Sequence, residues 1–235
     1  FVFRNVPSDT AASEALARLA HAAHPSVAIL SEAADSARFA RTGFESAFTG
    51  DGGEVVFDET FAPDEKDFKP LIKRIRASGA EALMLNPQTE AVAGAFMRQF
   101  RKAGATSTVY GMAVLGGSAF LEAAGDAADG IVFADYVPLD AANPQAHAFL
   151  EDYRKFFGEP RREFAMASAY DALNLIVQAA DRGGYDGPKI RDYLYNLPQY
   201  DGLAGKYSFD LNGDVVGPLV GFKTVNKSTV ERYTQ

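Results

Sequence analysis

Cysteine and tryptophan are absent from this sequence of 235 residues, and histidine occurs only three times. The lack of cysteine excludes disulfides, thiol nucleophiles and cysteine ligands for a metal. The positions of His21, His24 and His147 relative to the carboxylates match no zinc-site spacing. We therefore predict neither a metal nor a cofactor. No apolar run approaches the roughly 20 residues that a membrane-spanning helix needs.

Positive charge is also scarce, with 23 Lys and Arg against 31 Asp and Glu and a net charge of −8. Nucleic-acid-binding proteins usually carry a basic face, and no basic cluster here is longer than the pair Arg161-Arg162. We predict no nucleic-acid partner. The sequence lacks a G-x-S-x-G elbow, and the glycines of Gly111–Gly117 and Gly183–Gly187 lack phosphate-loop spacing. These absences favour a protein that is not an enzyme.

What the sequence does contain is a series of short apolar runs in its first 136 residues, separated by segments with helical periodicity. The first four lie about 27 residues apart, close to the length of a βαβ unit. This spacing predicts an α/β fold with a parallel sheet flanked by helices. The runs are Val27–Leu30, Val55–Phe57, Ala82–Leu85, Thr108–Tyr110 and Ile131–Phe133.

Ligands of open α/β sheets bind outside the carboxyl ends of the strands, where the following helices begin. Ser36, Asn86 and Thr89 supply neutral hydrogen-bonding groups in the loops predicted at this edge. We predict that they contribute to a binding site. Ser36 and Thr89 also stand where helices begin, so a capping role remains an equal alternative at this stage.

The pattern changes near Tyr136–Asn143, which we take as a domain boundary. Two helices are predicted in succession without a strand between them, over Gln145–Phe157 and Phe164–Asp181. Their aromatic residues, Phe149, Tyr153, Phe156, Phe157 and Tyr170, are predicted to lie in a core, although no strands precede these helices to cover them. Asp210–Asp214 has a faint likeness to a calcium loop but lacks the distal Glu, which favours a β-turn.

Taken in order, several stretches resemble one family, the leucine/isoleucine/valine-binding group of type I periplasmic solute-binding proteins. Each stretch is weakly specific, but their order and spacing together are characteristic and extend over the whole chain. They are Phe3-Arg4 with Pro7-Ser8-Asp9, Val27–Leu30, Phe44–Phe48, Gly53–Val56, Asp67-Phe68, Phe96 with Gln99 and Lys102–Gly104, Asn143-Pro144, Ala169–Ala172 and Phe209–Asp214.

This resemblance implies two α/β lobes joined by three crossovers, with a small-molecule ligand bound in the cleft between them. It implies that residues 1–135 plus 219–235 form the carboxyl-terminal ligand-binding lobe and residues 136–218 a remnant of the amino-terminal lobe. The chain would then begin at the first crossover, as a trimmed or processed piece with an incomplete second lobe. Such a piece would expose apolar surface, so we expect it to self-associate.

Transferred residue by residue, the family's ligand site falls at Asp9, Ser36, Thr89, Ala113 and Phe164. The family's aromatic residues are absent at Ser36 and Thr89. The Glu that holds a ligand's ammonium falls near Ala113 and is also absent. Burying an ammonium without a counter-charge costs several kcal/mol. The resemblance therefore favours a small carboxylate, an aromatic acid or an amide over a branched-chain amino acid.

The function that the resemblance implies is an exported receptor, periplasmic or extracellular, that delivers a small polar or aromatic solute to the membrane permease of an ABC importer. A ligand-sensing regulatory module on the same fold is one alternative. A flavodoxin-like α/β enzyme is the other, and the missing phosphate loop argues against it.

Overall fold

The computed structural model of this chain describes residues 1–137, 139, 143–159 and 163–234. The chain consists of two compact units. We call them the sheet unit (Asp9–Asp135 and Phe222–Gln235) and the helical unit (Phe1–Ser8 and Tyr136–Gly221). The basic pair Arg161-Arg162 and part of the boundary predicted near Tyr136–Asn143 lie outside the described residues.

Strands and helices alternate along the sheet unit, as the spacing of the apolar runs predicts. Short 3-10 helices flank α5 at Ala113–Gly116 and Gly125–Ala128. The main elements are α1 (Asp9–His21), β1 (Ser26–Glu32), α2 (Asp35–Gly50), β2 (Glu54–Phe61), α3 (Lys69–Ala77), β3 (Ala82–Asn86), α4 (Glu90–Lys102), β4 (Thr108–Gly111), α5 (Ser118–Ala124) and β5 (Val132–Tyr136).

Together with β9 (Val220–Asn226) and β10 (Thr229–Arg232), these strands form a sheet of seven in the order β10-β9-β5-β4-β3-β1-β2. From β2 to β5 all neighbours pair in parallel. The two added strands, β9 and β10, pair with each other in antiparallel orientation. The predicted α/β class, with a largely parallel sheet flanked by helices, is confirmed.

Both faces of the central strands are covered, because a parallel sheet connected by helices has helices on each side. Ala28, Leu30, Leu83 and Leu85 join one core cluster with side chains of α3, α4 and α5. A chain of aromatic rings crosses this cluster, with centroids 5.3 Å apart from Phe68 to Phe96 and from Phe96 to Phe100. All three rings are fully buried.

A close contact between α1 and α2 depends on the absence of a side chain at Gly43. A Cβ atom there would lie 2.5 Å from Ser13 Oγ and 2.9 Å from the carbonyl oxygen of Thr10. Glycine therefore allows the two helix backbones to approach each other in the sheet unit.

The helical unit contains α6 (Pro144–Phe157) and α7 (Glu163–Gly183), both close to their predicted bounds, and α8 (Gly187–Tyr195). Asn143 and Asp186 cap α6 and α8 by accepting backbone N–H bonds from Gln145 and Lys189. A small antiparallel sheet follows, formed by β6 (Tyr200–Gly202), β7 (Gly205–Phe209) and β8 (Val215–Val216) in that order.

The carboxylate of Asp171 connects α7 to the turn between β6 and β7. It accepts backbone hydrogen bonds from Leu203 and Ala204, each 2.9 Å long. Burial raises the pKa of Asp171 more than these two bonds lower it. A Cβ at Gly202 would come within 2.4 Å of Asp171 Oδ2, so the turn approaches the carboxylate closely only because that residue is glycine.

Asp210–Asp214 forms a turn between β7 and β8, as predicted. Asp210 Oδ1 accepts the backbone N–H groups of Asp214 at 2.9 Å and Asn212 at 2.8 Å. These backbone hydrogen bonds, with Asp214 first, lower the pKa of Asp210. Gly213 adopts φ +81°, a left-handed conformation that favours glycine.

The first eight residues belong to the helical unit, whereas the resemblance groups them with the other lobe. Their contacts explain this placement. The ring of Phe3 lies 4.8 Å from that of Tyr195 and 5.2 Å from that of Phe209. Asn5 Nδ2 donates to the Ser168 carbonyl at 2.7 Å. The assignment of the two units to the family's carboxyl- and amino-terminal lobes stays a prediction.

The prediction that the aromatic residues of α6 and α7 form a core was wrong for several of them. Phe156 and Phe157 are 78% and 74% exposed, and Tyr170 is 47% exposed. Phe149 is half-buried, and α6 buries fully only Ala146. Helical periodicity marks which residues share a face, but it does not say what covers that face.

Phe96→Ala is expected to lower the free energy of unfolding by about 3–5 kcal/mol, because it removes a fully buried ring and leaves a cavity. Phe39→Ala is the matched control, since Phe39 is 56% exposed on α2, and its expected effect is below about 1 kcal/mol. Urea unfolding followed by circular dichroism measures both. Equal effects of the two substitutions would contradict the assigned core.

Candidate functional site

The carboxyl ends of β1 and β3 meet at one edge of the sheet. These strands pair in parallel with Val27 opposite Ala82 and Ser31 opposite Asn86. The loops that follow them lead into α2 and α4. The three residues that were predicted to share a site therefore lie at this edge: Ser36 in the first turn of α2, Asn86 at the end of β3 and Thr89 just before α4. We call this set, together with Glu32 and Gln88, the carboxyl-edge site.

Asn86 is fully buried at the end of β3. Its Nδ2 donates to the carbonyl oxygen of Ala37 at 2.7 Å and to Ser31 Oγ at 3.2 Å. The side chain thus joins β3 to β1 and to the first turn of α2. Its Oδ1 has no hydrogen-bond donor within range among the described residues.

Glu32 is the member of the site that sequence reasoning missed. The residue is 4% exposed. Oε2 accepts the backbone N–H groups of Gln88 at 2.8 Å and Thr89 at 2.9 Å. Oε1 accepts the hydroxyl of Thr89 at 3.1 Å. One buried carboxylate on β1 therefore holds the loop that precedes α4.

Thr89 occupies the N-cap of α4, as predicted, but its own side chain makes no capping bond. The negative charge of Glu32 lies at this helix N-terminus, where a negative charge is favourable. The signal that points to Glu32 is its position: a charged residue at the end of a strand that is otherwise buried. Such a residue needs partners, which the neighbouring loop supplies.

Ser36 and Gln88 connect the two loops on their exposed side. Ser36 Oγ donates to Gln88 Oε1 at 2.8 Å. Gln88 Nε2 in turn donates to the carbonyl oxygen of Pro87 at 3.1 Å. Ser36 and Thr89 thus belong to one hydrogen-bonded set through Gln88 and Glu32. The buried amide of Asn86 bonds separately, to Ser31 and Ala37. A role of Ser36 as the cap of α2 is not observed, since α2 begins after Ala34 without a side-chain cap.

The other predicted site residues stand apart from this hydrogen-bonded set. Ala113 is exposed and begins the 3-10 turn that follows β4 at the same edge. Asp9 is exposed in the first turn of α1. Phe164 belongs to the helical unit and stacks on Tyr136, with ring centroids 4.3 Å apart and planes inclined by 5°. A ligand-binding role for each of the six predicted residues stays a prediction.

Neither a metal site nor a membrane-spanning helix is found in the part of the chain that the structure describes. No group of three His, Cys, Asp or Glu residues there could hold a metal ion. No helix there combines the length and the apolar character needed to cross a bilayer. The polar groups at the carboxyl edge are suited to hydrogen bonding with a small molecule.

Comparison with known proteins decides the family. The model of a family described as periplasmic binding protein matches residues 1–226. The chain belongs to this family. Leu/Ile/Val-binding protein homolog 6 from Brucella suis biovar 1 (strain 1330) is 28% identical to it over 149 residues. That match covers 62% of this chain and 38% of the relative. The chain thus matches less than half the length of this curated relative.

Two solved structures share its architecture. The leucine binding protein LivK from Thermotoga maritima MSB8 superimposes with a TM-score of 0.80 at 22% identity, over 96% of this chain and 65% of that one. The branched-chain amino acid transporter substrate binding protein LivJ from Streptococcus pneumoniae, in complex with isoleucine, gives 0.76 at 26%, over 97% and 65%. The predicted periplasmic binding protein type I fold is confirmed.

Glu32→Ala is expected to lower the free energy of unfolding by about 2–3 kcal/mol, because it leaves the N–H groups of Gln88 and Thr89 without their acceptor. The control is Glu54→Ala, which removes an exposed carboxylate at the opposite end of the sheet and should change stability by less than about 0.5 kcal/mol. Urea denaturation compares the two variants. A neutral effect of Glu32→Ala would show that the carboxylate does not hold the loop.

Proposed function

We propose that this chain is the solute-binding part of an exported, non-catalytic receptor that supplies a small polar or aromatic solute to an ABC permease. The observation that carries the proposal is the family match over residues 1–226. The solved relative with bound isoleucine, at 26% identity, supports a small-molecule ligand of that size. The proposal includes periplasmic or extracellular localisation, which the family's description supports.

The carboxyl-edge site supports a solute that forms hydrogen bonds rather than an ion pair. Its outermost groups are the side chains of Ser36, Gln88 and Thr89, all of them neutral. The Glu that the family uses for an ammonium falls at Ala113, an exposed alanine in a 3-10 turn. We therefore propose that the solute is a carboxylate, an amide or a compound like an amino acid, and that leucine itself binds weakly.

Ala113→Glu is expected to strengthen leucine binding by about tenfold to 100-fold, because a carboxylate there would pair with the ammonium of the ligand. Val114→Glu is the matched control, since it places the same charge one residue further along the same turn. Isothermal titration calorimetry of the complete gene product measures both, alongside the unmodified protein. Micromolar binding of leucine by the unmodified protein would contradict the proposed solute class.

The 235-residue chain by itself is proposed to self-associate through the apolar side chains that α6 and α7 expose. Phe156, Phe157, Leu173 and Ile176 are each more than half exposed. An apolar surface of this kind promotes association.

Native mass spectrometry of the isolated chain is expected to show dimers or larger species of its 25.2 kDa mass. The double substitution Leu173→Gln with Ile176→Gln should shift the population to monomer, because it removes apolar area from α7. The control pair, Phe39→Gln with Phe1→Gln, alters exposed apolar residues elsewhere on the chain. A monomer at micromolar concentration would refute the association.

A further inference from the structure

The hydroxyl protons of the carboxyl-edge site are already used within the chain. Thr89 Oγ1 lies 3.1 Å from Glu32 Oε1, and since a carboxylate can only accept, the hydroxyl must donate. The amide nitrogen of Gln88 donates to the Pro87 carbonyl, so its oxygen faces Ser36 and accepts the Ser36 hydroxyl. Both hydroxyls therefore offer lone pairs to a solute and no proton.

Asn86 likewise has a free hydrogen-bond acceptor and no free donor. Its amide hydrogens are donated to Ala37 and Ser31, and its Oδ1 is a buried acceptor with no donor in range among the described residues. An acceptor of this kind is satisfied only by a group that brings a proton. Ser36, Thr89 and the fully buried Asn86 thus have free acceptor capacity.

Negative charge at the helix N-termini of this edge also disfavours an anionic solute. A helix N-terminus otherwise attracts anions. At α4 the position is taken by Glu32. At α5 it is taken by Glu90, whose Oε2 accepts the N–H groups of Ala119 at 3.0 Å and Phe120 at 3.3 Å. Asp35 is the first residue of α2. A carboxylate of a solute meets like charge at each of them.

Glu32 differs from the other two acids because it alone controls a hydroxyl. Three donors, two backbone N–H groups and the hydroxyl of Thr89, already surround its buried carboxylate. Its charge is therefore compensated inside the chain, and it leaves no free counter-ion for an ammonium.

We propose that Glu32 is a positioning residue that fixes Thr89 as a hydrogen-bond acceptor, so that the solute group seated at this edge is a neutral N–H donor such as a carboxamide. This inference rests on the proposed receptor function and narrows its solute class. Glu32 acts through Thr89 and need not touch the solute.

Glu32→Gln tests this role because it keeps the size of the side chain. It replaces a carboxylate, which can only accept hydrogen bonds, with an amide, which also donates them. The amide oxygen of Gln can still accept the N–H groups of Gln88 and Thr89. Its NH₂ group then faces the oxygen of Thr89 and donates to it, which frees the hydroxyl proton of Thr89 for the solute. The substitution also removes negative charge from the start of α4. Both changes disfavour an amide and favour a carboxylate.

The test is calorimetry on the complete gene product with matched amide and acid probes: benzamide against benzoate, and isovaleramide against isovalerate. The unmodified protein is expected to bind the amide of at least one pair about tenfold more tightly than its acid. Glu32→Gln should reduce this ratio by about tenfold. Glu54→Gln, the same change of charge at the opposite end of the sheet, should leave the ratio unchanged. A purely structural role of Glu32 would weaken both probes equally.

Thr89→Val provides a second variant that keeps Glu32 and the shape of the loop. It removes the acceptor itself, so amide binding should weaken by about tenfold while acid binding changes little. A tighter acid in the unmodified protein would overturn the inference. An unchanged ratio in Glu32→Gln, or unaltered amide binding in Thr89→Val, would also overturn it.

The proposed function fails on a different outcome. It is refuted if the unmodified protein binds none of these probes, no amino acid and no aromatic acid at millimolar concentration. Binding of acids or amino acids without an amide preference refutes the positioning role of Glu32 and leaves the receptor function standing.

Discussion

The parallel pairing of β1 with β3 is the constraint on which the carboxyl-edge site depends. It places Ser31 opposite Asn86 and brings the loops before α2 and α4 side by side. A shift of one residue in this register would turn the buried side chains of both strands to the other face. Helices cover both faces of the sheet, so neither face tolerates such a shift, and the polar ends of the strands are positioned by the apolar core beneath them.

A buried carboxylate is stable at this edge because backbone N–H groups take the place of the water molecules that would otherwise solvate it. Glu32 receives two N–H groups and a hydroxyl, and in return the start of α4 gains a negative charge that its own N-cap residue does not supply. In these bonds, neither the carboxylate of Glu32 nor the groups that donate to it are left unsatisfied. It also determines which way the hydroxyl of Thr89 points, so an interaction that stabilises a helix also sets the polarity offered to a solute.

The helical unit contains a similar arrangement at Asp171. Asp171 on α7 is buried and accepts two successive backbone N–H groups of the turn between β6 and β7. Burial nevertheless outweighs these bonds and raises its pKa. In each unit, then, a carboxylate on a regular element holds a loop by its backbone. The apolar side chains that α6 and α7 expose are the opposite case, because among the described residues no comparable interaction covers them.

The sequence by itself determined the order and type of the elements from α1 to β5, because the apolar runs repeat at the length of a βαβ unit. The order of many weak motifs also predicted the family, which the match over residues 1–226 confirms. The strand pattern placed Ser36, Asn86 and Thr89 at one edge. The very short strands β6 and β8 could not be predicted, since two or three residues carry no periodicity. The exposure of Phe156 and Phe157, and the packing of Phe3 beside Tyr195, also escaped prediction.

Only the tertiary structure decided the role of Glu32 and the direction of each hydrogen bond at the carboxyl edge. Glu32 and Thr89, which bond to each other, are separated by 57 residues in the chain. A local pattern carries the type of each group but not its partner. Whether a hydroxyl donates or accepts depends on that partner, and the partner comes from another strand.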